Sequence, residues 1–74
     1  MEISKIIGNN LKAERKIKGY TQREVAEKMG MTQQQYSRFE NGVFELNYSQ
    51  IIFLCHLYDI TPNELFETDE DYWD

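Results

Sequence analysis

Apolar positions along this 74-residue chain recur at helical spacing, and no stretch alternates apolar and polar residues convincingly enough to read as a strand. Ile3, Ile7 and Leu11 share one stripe at steps of four. Val25, Ala26 and Met29 form a second inward face. Tyr48, Ile51, Ile52, Leu54, Cys55 and Tyr58 offer a third, and Leu65 and Phe66 a fourth. Four capping signatures punctuate these runs: Thr21 with Glu24, Thr32 with Gln35, Asn47 with Gln50, and Thr61 with Glu64. In each, a short polar side chain accepts from a first-turn N–H while the residue three later reaches back. Pro62 falls at a first helical position, where its missing N–H costs nothing. Gly19, Gly30 and Gly42 stand where helices should stop, because glycine adopts the left-handed conformation without steric penalty. The pattern predicts five helices, at about 3–18, 21–29, 32–41, 47–58 and 61–67, with Ile60 plugging the last link. The expected fold class is all-α, a compact bundle of five short helices. Residues 1–67 read as one domain. Residues 68–74 read as an acidic tail that frays, with Tyr72 and Trp73 as its groups able to dock.

Composition narrows the function. A chain of this length holds one small core, and self-association is a common way to add buried surface. No apolar run approaches the ~18 to 20 residues of a membrane span, and the N-terminus lacks a signal peptide's apolar stretch. Cys55 has no internal partner and sits in an apolar run, so it reads as a small buried residue. One Cys and one His do not make a four-ligand zinc site. The expectation is a cytoplasmic protein with no membrane contact and no cofactor. Lone His56 reads as a surface helix residue, and no nucleophile constellation or glycine-rich phosphate loop argues for an enzyme.

The net charge of −5 looks wrong for a nucleic-acid partner until it is located. All eight Lys and Arg lie in residues 1–38 beside four Glu, a net +4; residues 39–74 hold nine acids and no base, a net −9. The last eight residues carry −5, so residues 1–66 are neutral overall and strongly polarised. Such asymmetry signals a nucleic-acid face or an acidic tail.

The helix expected at 32–41 carries the strongest functional signal. At ~100° per residue, Gln33, Gln34, Ser37, Arg38 and Asn41 share an arc of about 140°. Tyr36 and Phe39 lie opposite, and Gln35 near them. The outer arc has one positive charge and no carboxylate, so it can approach phosphates without repulsion. Its amides and guanidinium present the donors and acceptors that read base edges in a DNA major groove. The preceding turn fits this. Ala26 is small where the next helix crosses closely, Gly30 needs a positive φ, and Met31, Tyr36 and Phe39 fill the space between the two helices. Small, Gly, apolar, apolar, apolar at these spacings is a helix-turn-helix signature.

On these residues, Gln22 through Gly42 resembles the helix-turn-helix of the lambdoid phage repressor and Cro (XRE-like) family. Thr32-Gln33-Gln34 and Glu40-Asn41-Gly42 carry the likeness most closely, and it extends over roughly residues 3–66. The resemblance implies a lambda repressor-like domain that binds double-stranded DNA. It implies base reading by Gln33, Gln34 and Arg38, with Gln pairing bidentately with adenine and Arg with guanine. Ser37 is a base or phosphate contact. Gln22 matches a phosphate-contacting position at a helix start, which also favours an anion. Asn41 matches another. Tyr36 is either purely core or also a phosphate contact through its hydroxyl.

Arg15 continues the Ile7 and Leu11 stripe and should point inward, where a guanidinium needs a carboxylate. Glu40 is the best candidate, and the family has an Arg–Glu pair at these positions. Lys12, Lys16, Lys18, Arg23 and Lys28 offer diffuse attraction only. The chain departs from the family in the loop Val43-Phe44-Glu45-Leu46, which lacks the usual cations after Asn-Gly and is unusually apolar. Phosphate contacts dominate affinity, so a monomer should bind weakly. Phe44 and Leu46, with Val43, and Phe53 and Leu57, one turn apart, are expected to form an exposed apolar patch. Such a patch fits a homodimer interface. A dimer places two reading helices about 34 Å apart in successive major grooves, on a palindromic operator. The first expectation is therefore a transcriptional regulator, most simply a repressor. The second is an antitoxin-like interaction module whose protein partner uses the apolar patch and acidic tail, with DNA binding secondary.

Overall fold

The computed structural model describes residues 3–68. Its helices are α1 (Ile3–Lys18), α2 (Gln22–Lys28), α3 (Gln33–Glu40), α4 (Tyr48–Tyr58) and α5 (Pro62–Leu65), with no strand among the described residues. All four capping boxes form, so α2 to α5 each begin on a reciprocal pair of side-chain to backbone hydrogen bonds. At Thr32 the two distances are 3.2 Å to Gln35 N–H and 2.9 Å back from Thr32 N–H to Gln35 Oε1. Four helices end the same way. A left-handed residue (Gly19, Gly30, Gly42 or Asp59) reverses the chain. The next N–H then donates five residues back: Tyr20 to Arg15, Met31 to Ala26, Val43 to Arg38, Ile60 to Cys55. This satisfies carbonyls that the helix leaves unpaired.

The core gathers Leu11, Val25, Ala26, Tyr36, Phe39, Leu54, Cys55, Tyr58 and Leu65, with Ile7, Met29, Met31, Ile51 and Ile60 half-buried against it. Inside it the Tyr36 and Tyr58 hydroxyls meet at 2.7 Å, which joins α3 to α4. α1 packs against α3, α4 and α5. Its buried side is therefore wider than the single stripe expected: Ile6, Gly8, Leu11 and Arg15 are buried, whereas Ile3 and Ile7 are half-buried. Gly8 lies where α1 crosses the end of α3. A Cβ there would fall 2.7 Å from the Phe39 carbonyl oxygen and closer still to that of Glu40. Asn10 closes the bundle from the other side, donating to the carbonyls of Leu65 and Glu67, both at 2.8 Å.

Two expectations about α4 are corrected. Tyr48 is 88% exposed and Ile52 57% exposed, so neither is core. α4 buries only Leu54, Cys55 and Tyr58 fully, because it meets the bundle along one narrow side. His56 is exposed and Cys55 buried. No described helix is long and apolar enough to cross a membrane. Tyr72, Trp73 and the acids from Asp69 onward lie outside the described residues.

Candidate nucleic-acid interface

α2 and α3 are packed closely enough to act as one unit. Ala26 and Val25 are buried between them, and the turn through Gly30 (φ +71°) is tight enough for Met31 N–H to bond Ala26. The inner side of α3 is anchored by Tyr36, Phe39 and Glu40. That leaves its outer side to solvent. Gln33, Gln34 and Arg38 are exposed there, and Ser37 is half-buried. Together with Gln22 from α2 these four line one shallow, open depression. Five of the residues expected to meet DNA are thus brought together on a surface free of carboxylates.

Beneath that surface lies a polar network built from the buried pair. Arg15 Nε donates to Glu40 Oε2 at 2.7 Å and its Nη2 to Oε1 at 3.2 Å, a bidentate contact with both residues buried. Arg15 Nη1 also donates to the Tyr20 carbonyl at 2.9 Å. Burial pushes the Glu40 carboxyl upward, but the hydrogen bonds from Arg15 and Gln22 oppose it, and Glu40 is held below the usual carboxylate range. The hydrogen bond to Glu40 likewise raises Arg15 above the ordinary guanidinium value. Gln22 Nε2 donates to Glu40 Oε1 at 3.0 Å, and Gln33 Nε2 reaches Gln22 Oε1 at 3.5 Å. The first bond fixes the Gln22 amide. Its carbonyl oxygen then points at Gln33, at the outer limit of a hydrogen bond.

Asn41 is exposed at the end of α3 and donates to Ser37 Oγ at 3.3 Å. Of the two readings of Tyr36, the structure favours the core one over a phosphate contact: its side chain is fully buried and its hydroxyl is held by Tyr58. The four residues expected to form one apolar interface differ in setting. Leu46 and Leu57 are half-buried against the core. Phe44 is 46% exposed and borders a groove with Ile3, Ile7 and Phe66; Phe53 is 39% exposed and borders a separate depression with Lys28 and Met29. The two depressions share no lining residue, so Phe44 and Phe53 do not sit in one pocket. Helical periodicity alone did not reveal the Gln22–Glu40 contact, because it joins two helices through a side chain that looks merely polar in the sequence.

A helix-turn-helix family model matches residues 11–65, about three quarters of the chain, and the protein belongs to that family. The five-helix bundle is that of a small lambda repressor-like domain, and the family points to a DNA-binding transcription regulator. No match was found among curated proteins or among solved structures.

Proposed function

We propose that this chain is a sequence-specific regulator of transcription of the lambdoid repressor and Cro kind. It lays α3 in the major groove, with Gln33, Gln34, Ser37 and Arg38 toward base edges and Gln22 and Asn41 toward phosphates. The observation that carries this reading is the convergence of Gln22, Gln33, Gln34, Ser37 and Arg38 on one open, carboxylate-free surface. Amide and guanidinium groups are the side chains that discriminate A·T from G·C bidentately. The Arg15–Glu40–Gln22 network supports it by fixing a second-helix amide beside Gln33. The chain acts as a repressor on a palindromic operator, as a homodimer, since the loop after Gly42 carries no cation to strengthen a lone domain's grip.

Selection from duplexes with a randomised core, using the wild-type protein, supplies the operator. Replacing Gln33 and Gln34 together with Ala is expected to lower affinity for the selected duplex by roughly thirtyfold or more, since two bidentate pairs are lost and each is worth about 1–3 kcal/mol. Both side chains are exposed, so the melting temperature should hold. Undiminished binding by that variant overturns the base-reading assignment.

A further inference from the structure

Arg38 is the one cation on the outer side of α3, and its side chain lies against a residue outside the helix. Its guanidinium carbon stands 5.4 Å from the centroid of the Phe44 ring. That ring is itself braced, edge-on to the buried Phe39 at 6.3 Å and 66°. The backbone explains how it arrives there. Gly42 takes φ +74°, and the N–H groups of Val43 and Phe44 both turn back to the Arg38 carbonyl, at 2.9 and 3.3 Å. Phe44 is thereby folded against the same helical turn that carries Arg38. Among the described residues no carboxylate forms an ion pair with Arg38.

We infer that Phe44 is a specificity-determining positioning residue: its ring holds the Arg38 guanidinium for reading a base, while Phe44 itself touches no DNA. This rests on the base-reading role proposed for Arg38. A ring face attracts the guanidinium without using any of its N–H donors, so the planar fork stays free to meet the two acceptors of a guanine. Restricting the long side chain before DNA arrives also reduces the ordering that binding would otherwise require. An apolar residue without a ring would fill the same space against Phe39 and leave Arg38 unguided.

The test uses the full chain and the duplex selected by the wild type from the randomised library. Base preference is then measured position by position for Arg38→Ala, Phe44→Leu, Phe44→Met, Phe44→Tyr and the double variant of Arg38→Ala with Phe44→Leu. Arg38→Ala should erase a guanine preference at one position of the site. Phe44→Leu and Phe44→Met should each reduce that same preference by about two- to fivefold, the strength of a solvent-exposed cation–ring contact, and leave the other positions alone. Phe44→Tyr should retain it. In the Arg38→Ala background, Phe44→Leu should change nothing further. The inference is overturned if the Phe44 variants weaken binding evenly at every position, or if their effect survives loss of Arg38. Preferences untouched by Arg38→Ala would instead show that the base-reading premise had failed, a separate and recognisable result.

Discussion

At the scale of single residues, Gly8 shows how a fold can depend on an atom that is missing. Glycine inside a helix costs about 1 kcal/mol against alanine, so on propensity alone Gly8→Ala should stabilise α1. The crossing with α3 reverses the sign. The added methyl would meet the backbone carbonyls of Phe39 and Glu40, which no side-chain rotation can relieve. Overpacking of this kind typically costs about 1–3 kcal/mol, and here it would push α1 away from the Arg15–Glu40 pair. Gly8→Ala is therefore expected to lower the denaturant midpoint without changing the slope of unfolding. A variant as stable as the wild type would mean that the helices separate freely. Phe44 is the converse case, a residue valued for a ring face. Neither role is legible in the sequence: Gly8 interrupts no pattern, and Phe44 sits in a loop where an aromatic residue reads as loose apolar surface. Arg15 was legible, because a cation on an apolar stripe demands a partner.

Between elements, the ties that hold α3 in place are titratable, so stability should carry two pH edges. On the acid side, Glu40 joins α3 to α1 through Arg15 and to α2 through Gln22. Its folded pKa lies below that of the unfolded chain. The stabilisation is present above the unfolded value, near 4.3, and is lost as pH falls through the folded one. On the alkaline side, burial raises Tyr58 to about 12 and Tyr36 further, against an ordinary tyrosine near 10. Here stability is complete below pH ~10 and is lost as pH rises through the folded values. Melting temperature across pH should show a plateau falling away below about pH 4.3 and above about pH 10. Tyr58→Phe should flatten the alkaline fall relative to its own neutral value; an unchanged alkaline limb would show that other groups cause it. Helix starts and most helix stops were readable, because caps are local chemistry confined to four or five residues. The left-handed Asp59 and the cap of α5 supplied by Asn10 were not. The first departs from the glycine habit of the other stops, and the second comes from 55 residues away.

For the molecule as a whole, the open question is what the outer side of α4 is for. The sequence misdirected us at Tyr48 and Ile52, since a helix rich in apolar residues on all sides gives periodicity no direction in which to point. Ile52 and Phe53 stand adjacent and exposed, with Tyr48 a turn before Ile52. α4 carries no Asp, Glu, Lys or Arg, so two copies of it can meet without burying a charge. A twofold contact is self-complementary, which an uncharged apolar face satisfies by construction. It would also answer the lack of cations after Gly42, by letting two weakly gripping domains bind one operator together. Phe53→Glu places a carboxylate on that face without entering the core. Light scattering at high protein concentration should then report a monomer where the wild type is a dimer, with the helical signal unchanged. Operator affinity should fall with the loss of the second domain, while the base preferences of the single domain stay the same. A wild type that is monomeric at high concentration removes the dimer from the mechanism, and a Phe53→Glu variant that stays dimeric moves the contact to the Phe44 groove instead. In either case the surface on α3 proposed to read bases is left intact, because the residues that line it all come from one chain.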